Sequence, residues 1–359
     1  MLSSRQIMVV GLLLGLYASG VVAQDDILRT ASGRPDLSGT YDTATLTPLQ
    51  RPQRFGDRPA LTSEEAATVQ ADPSALRAFF GIGAAGSDER GGNFTAEAGD
   101  PDRVAPPAGG DGSAGAAGNV GGYNTFWIDP GAGAFQIDGE WRTSILVDPP
   151  NGRYPPQTPE RVAADTAARG GSGARSRQND GSAYWLEAGL DAPGPFDNME
   201  QRPFAERCLL GFGSTAGPPM LPVLYNNHKR IVQGEEIIMI LTEMNHDARI
   251  IRMNAEHDPP EIRMWLGDSI GHWESDTLVV ETTNFRDRPS FTRGSRNMTV
   301  TERFRMESAD KLIYSFTVED STVWMAPFTG EYAWSRSDNK VFEYACHEGN
   351  GRNPECHEP

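Results

Sequence analysis

From Cys208 to Cys346 the chain is a succession of short segments rich in Val, Ile, Thr and aromatic residues, broken by tight turns. The segments fall at 229–233, 236–244, 247–253, 261–267, 272–274, 277–284, 298–306, 311–319, 328–335 and 341–346. Ser275-Asp276, Ser308-Ala309-Asp310 and Ser337-Asp338-Asn339 are among the turns between them. Runs of this length and composition favour strands over helices. Period two is clearest from Leu312 to Val318: Leu312, Tyr314, Phe316 and Val318 take one face, Ser315 and Thr317 the other. So many antiparallel strands would leave adhesive edges unless the sheet closed on itself. The expected fold is therefore all-β and mainly antiparallel, a lipocalin-like or related β-barrel with long loops and a few short helices. A β-sandwich is the alternative. A propeller would need an internal repeat, and none is found.

Ahead of this region the composition changes several times. Arg5, the apolar run from Ile7 to Tyr17 and Val21-Val22-Ala23 before Gln24 have the order of a signal peptide, so residues 1–23 are expected to be removed on export. That run is shorter than the roughly 20 apolar residues of a spanning helix. No Cys follows it, so no lipoprotein anchor is expected. Residues 24–80 hold a strand candidate within 36–45, around Gly39-Thr40-Tyr41, which is free to join the barrel. They also hold a helix signal at 62–80, with Thr62 or Ser63 as cap and Glu64 and Glu65 in the first turn. Residues 81–122 are Gly/Ala-rich and read as a flexible insertion. The barrel domain is placed at 123–359, with a strand from Thr143 to Val147 and a short helix within 160–182.

Export sets how the cysteines and charges are read. The mature chain is expected in the periplasm or outside the cell, without membrane insertion once the signal is cleaved. Of Cys208, Cys346 and Cys356, two are expected to pair. Cys208 with Cys346 would staple the start of the β region to its end and is preferred; Cys346 with Cys356 would only clip the tail. With 49 acidic against 32 basic residues the net charge is −17, which argues against nucleic acid as a partner. A small molecule or a carbohydrate is the expected ligand. No Gly-rich phosphate loop joins a strand to a helix, so no nucleotide cofactor is expected.

Several segments together resemble a large group of secreted, mostly uncharacterised bacterial proteins. They are GRPDLSGTY (33–41), RTSILVDPPNGRYPPQTPE (142–160), ERCLLGF (206–212), GPPMLPVLYNN (217–227), EMNHDARIIRM (243–253), WLGDSIGHWESDTLVVETTNF (265–285) and EYACHEGN (343–350). The resemblance covers most of the mature chain outside 81–122. It implies a shared β-rich fold and a shared site, and no particular activity. GHW at 271–273 often stands as GRW in that group.

Two clusters carry most of the candidate chemistry. In Glu243-Met244-Asn245-His246-Asp247-Ala248-Arg249, at the join of two strands, alternation puts Asp247 and Arg249 on one face and His246 on the other, unless a turn at Asn245 redirects it. Histidine beside a carboxylate serves as a general base, and arginine neutralises developing negative charge. In Glu343-Tyr344-Ala345-Cys346-His347-Glu348, Glu343 and His347 would share a face, with Tyr344 and Cys346 opposite. His246, Asp247, Arg249, Glu343, Tyr344 and His347 are thus the candidate catalytic residues. Tyr225, Asn227, Trp265, His272 and Glu348 are candidate substrate contacts. As a plain structural alternative, the first cluster is a turn with a surface Asp–Arg pair and the second a tethered last strand.

Weaker motifs fail on context. Gly267-Asp268-Ser269-Ile270-Gly271 matches a nucleophile elbow but precedes a strand rather than a helix, and reads as a β-turn. Cys346-His347 with Cys356-His357 lacks the paired spacing of a zinc site, so no metal is expected. Glu281, Glu302, Glu319 and Glu331 could supply a glycosidase pair, or could merely face Arg303 and Arg305 across strands. Three functions follow: a cofactor-independent lyase, isomerase or hydrolase; a carrier of a hydrophobic small molecule; or a structural module of the envelope.

Overall fold

The computed structural model describes residues 27–71, 76–80, 131, 133–170, 204, 207–211, 213–223, 225–287, 291 and 293–346. The expected signal peptide at 1–23 and the 81–122 segment lie outside them. In chain order come β1 (Gly39–Asp42), α1 (Ser63–Ala71), α2 (Leu76–Phe80), β2 (Gln136–Ile137), β3 (Glu140–Trp141), β4 (Leu146–Asp148) and α3 (Pro159–Gly170). They are followed by β5 (His228–Gln233), β6 (Ile237–Thr242), β7 (Ala248–Met253), β8 (Asp268–Glu274), β9 (Thr277–Thr283), β10 (Thr299–Ser308), β11 (Lys311–Glu319) and β12 (Phe328–Arg336).

The strands run β1-β5-β6-β7-β8-β9-β10-β11-β12, and β12 returns to β1, so nine strands close into a barrel. The fold is all-β, as the strand density requires. β1 pairs with β5 along its whole length and with β12 through Tyr41↔Arg336 and Asp42↔Ser335. β4 pairs with β12 at Thr329 and Gly330, farther along the same edge.

Two segments expected as strands are not. Residues 261–267 make only a bridge, Met264↔Phe285. They belong to the crossover 254–267, which carries the chain back along the barrel so that β8 starts beside the middle of β7. That pair is parallel, Ile251↔Ser269 and Met253↔Gly271, in an otherwise antiparallel barrel. The tail at 341–346 has no ladder. At 62–80 the reciprocal bonds Thr62 N–H to Glu65 Oε2 (2.8 Å) and Glu65 N–H to Thr62 Oγ1 (3.2 Å) make Thr62 the cap of α1.

Alternation fills the interior. Val300, Phe304 and Met306 of β10, Leu312, Tyr314, Phe316 and Val318 of β11, and Phe328, Tyr332 and Trp334 of β12 are all buried. Tyr314 lies 4.9 Å from Trp334, 5.1 Å from Phe304 and 5.6 Å from Tyr332, ring centre to ring centre. Each large apolar side chain so buried contributes about 1.5–3 kcal/mol of transfer free energy. The segment 213–223 plugs one end: fully buried Met220 donates its N–H to Tyr314 Oη (2.8 Å) and accepts from Tyr332 Oη (3.0 Å). A smaller core of Leu46, Phe55, Val69, Leu76 and Phe80 seats α1 and α2.

Candidate functional site

The β6–β7 connection at this end of the barrel gathers polar side chains from four places in the chain. Met244–His246 form a turn in which Asn245 (φ 61°) and His246 (φ 53°) are left-handed, a conformation Asn tolerates better than most residues. The turn throws His246 outward and returns Asp247 and Arg249 to the inward side. Glu243 is buried and accepts from His228 Nδ1 (3.2 Å) and from Phe342 N–H of the tail (3.3 Å). Burial pushes its carboxyl up, but those bonds outweigh it and hold the group below the usual range. Asp247 Oδ2 accepts from Gly211 N–H (3.0 Å). There burial wins, and the carboxyl is raised despite the Gly211 and Asn245 bonds.

Lys229 is within electrostatic reach of both carboxylates. It pairs with Tyr41 on one side and Thr242 on the other, all three inward and buried. Its Nζ is buried and takes no hydrogen-bond partner among the described residues. Desolvation pulls the amine down to about 7, against the attraction of Glu243, Asp247 and Asp42.

The tail and the 207–211 segment close over this corner. Cys208 and Cys346 form the disulfide preferred from the sequence. Asn245 Nδ2 donates to Cys208 O (3.1 Å), and Tyr344 N–H reaches His246 Nε2 at 3.1 Å with Phe342 O 3.2 Å away. The Tyr225 hydroxyl donates to that of Tyr344, and burial raises both phenols. Asn227 instead holds its own loop, bonding Val223 through N–H to Oδ1 and Nδ2 to O, each at 2.8 Å.

The expected residues therefore separate. Tyr225, His246, Asp247 and Tyr344 meet at the β6–β7 end, while Glu343 is exposed on the tail. His347 and Glu348 lie outside the described residues. Arg249 does share the inward face with Asp247, but it is spent inside the barrel on Glu302, through Nη1 to Oε1 at 2.9 Å and a second Nη2–Oε2 bond. Ser269 Oγ (3.0 Å) and Thr282 Oγ1 (3.3 Å) take two more of its donors, and Tyr314 Oη donates to Glu302 (2.7 Å). Four of its five N–H groups are thus committed inside the barrel, so Arg249 serves first to neutralise Glu302. His272 is exposed toward the far end of β8 beside Glu274 (3.3 Å), and Trp265 is held between Phe204 and Arg286 in the crossover.

The weaker motifs resolve likewise. Gly267-to-Gly271 leads into strand β8 rather than forming a turn, and buried Ser269 is tied to Arg249 and Thr282. Glu302 faces inward, whereas Glu281, Glu319 and Glu331 face outward, so they share no cavity as a glycosidase pair. Glu281 instead meets His257 Nε2 (3.1 Å), whose Nδ1 meets buried Asp268 (2.9 Å) and pins the crossover. His357 and Cys356 lie outside the described residues. Lys229 was not foreseen, although its alternation with Ile231 marks it as inward. Glu302 stands likewise in the apolar series Val300, Phe304, Met306, and an inward Glu requires an inward cation.

Comparison with family models and with curated proteins finds no match for this chain.

Proposed function

We propose that this chain is an exported, cofactor-independent enzyme, a lyase, isomerase or hydrolase, that acts on a carbohydrate or small hydroxylated molecule at the β6–β7 end of the barrel. The observation that carries this is the buried, unpartnered Lys229 amine beside the raised carboxyl of Asp247. An amine that gives up its proton near neutrality and a carboxyl that keeps its proton longer than usual form a base and acid pair poised for proton transfer. The exposed His246 and the Tyr225–Tyr344 hydroxyls lie at the rim, where they would orient substrate. Arg249 is assigned to holding buried Glu302 rather than to proton transfer. Export is supported by the N-terminal segment and by the disulfide.

Turnover is to be sought by incubating the mature protein with uronic sugars and small hydroxylated substrates, beside Asp247→Asn and His246→Gln. Turnover that falls about 100-fold or more in Asp247→Asn is the expected result, the usual scale for a lost acid or base. Turnover unaffected by Asp247→Asn would remove the proposed site. A second function, carriage of a hydrophobic molecule, is favoured by the Phe, Met and Trp lining of the interior. It gains if a ligand copurifies and no substrate is consumed.

A further inference from the structure

We propose that Lys229 is a nucleophile that condenses with an aldehyde or ketone, so that the substrate class is the small hydroxylated carbonyl compounds; this rests on the β6–β7 end being the reactive site.

Three observations support it. Lysine is scarce here: of the 32 basic residues only Lys229, Lys311 and Lys340 are lysines. Where a permanent cation serves, as in the buried pair with Glu302, the chain uses Arg249. Arginine does not lose its proton in proteins, whereas a buried lysine readily does. The one fully buried lysine is thus the one amine on this face that can present a lone pair.

The second observation is geometric. Lys311 is ion-paired to Glu307 (2.9 Å) and Lys340 is exposed, but Lys229 Nζ has no hydrogen-bond partner among the described residues. The neighbours on its inward face, Tyr41 and Thr242, do not hold it. Tyr41 Oη turns away to Leu37 O (2.9 Å). A buried donor left unmade is costly, and a ligand atom would satisfy it.

The third is the acid. The charged or titratable groups acting on Lys229 are Asp42 from β1 and Glu243 and Asp247 from the β6–β7 turn. Asp42 Oδ1 accepts from Ala44 N–H, and Glu243 is engaged by His228 and Phe342. Asp247 is the one whose carboxyl is raised. The amine lone pair attacks the carbonyl carbon, a C–N bond forms, and the C=O π pair moves to oxygen, which takes the proton shed by nitrogen. Asp247 then protonates that hydroxyl, the C–O bond breaks, and water leaves as the nitrogen lone pair forms the imine. The iminium proton returns to Asp247. Amine and carbonyl give imine and water, with no oxidant or reductant.

The test is reductive trapping on the full mature chain with glycolaldehyde or pyruvate as probe and sodium cyanoborohydride as reductant, followed by intact mass and peptide mapping. A single adduct at Lys229, formed at least tenfold faster than at Lys311 or Lys340 and absent in Lys229→Arg, is the expected result. Labelling at Lys229 no faster than at the two surface lysines overturns the proposal. Lys229→Met, whose melting is followed in parallel, shows whether loss of the adduct comes from loss of fold. If a substrate turns over in an Asp247-dependent way while Lys229 stays unlabelled, the carbonyl class falls and acid–base function stands. If Lys229 is labelled and no substrate of any kind turns over, covalent capture stands and the enzyme function falls.

Discussion

At the scale of single residues, Lys229 and the Arg249–Glu302 pair show two opposite ways of burying charge. The Lys229 amine is lowered to about 7 in the fold, while an unfolded lysine titrates near 10.4. Between those values the unfolded chain holds a proton that the folded chain has lost. This group's contribution to stability therefore rises with pH across that window, and its full cost stands below pH 7. Lys229→Met should be more stable than the parent at pH 6, by on the order of a few kcal/mol, with the gap closing toward pH 10. Urea midpoints at the two pH values check this, and a less stable variant at pH 6 would sink it. A substitution that stabilises the fold while abolishing activity is the mark of a residue kept for function. Arg249 and Glu302 are by contrast mutually satisfied. Removing either partner alone should cost about 3–5 kcal/mol, because a buried charge is left unpaired. Arg249→Met with Glu302→Leu should recover much of that loss. Additive losses in the double-mutant cycle would mean that the two side chains are not coupled.

At the scale of elements, much was legible because alternation and turn chemistry are local. β5–β7 and β9–β12 fall within a residue or two of where Val, Ile, Thr and aromatic runs meet their turns, and β8 extends four residues upstream of its expected start. What local pattern could not supply was direction. Nothing in 254–267 announces that the chain must return before β8 begins, so a parallel pair was out of reach. The expected strand at 261–267 was the price of that blindness. The last segment failed for a related reason: residues 341–346 have strand composition, but the edges of the barrel were already taken. That segment is held by Glu243, His246 and the Cys208–Cys346 bond, not by a ladder. Of the candidate site, Asp247 and His246 were visible from sequence, whereas Lys229 required knowing which face of β5 is inward. Replacing Cys346 by Ser removes a cross-link between residues 138 apart in sequence. Unfolding free energy should fall by about 2–5 kcal/mol. Limited proteolysis should then cut within 337–346 before it cuts the barrel. Cleavage of both at one rate would show that tail and barrel unfold as a unit.

At the scale of the whole molecule, closure depends on the shortest strand of the barrel. β1 contributes four residues, pairs with all of its length on β5, and meets β12 only at Tyr41 and Asp42. Without it β5 exposes an unpaired edge, the end of β12 near Arg336 loses its partner, and the Tyr41 site in the core empties. Open edges pair with other chains. The net charge of −17 opposes such association, since like-charged copies repel at low ionic strength. A chain beginning at Ala44 should therefore stay largely dispersed in dilute buffer and associate as salt rises. The screening length shrinks from about 30 Å at 0.01 M to about 8 Å at 0.15 M, short enough for edges to meet. Size-exclusion chromatography with light scattering across that salt range is the measurement. The parent chain should keep one mass throughout, and the truncated chain should not. A truncated chain that stays at one mass and melts as the parent does would show that the barrel needs neither β1 nor closure to protect its edges.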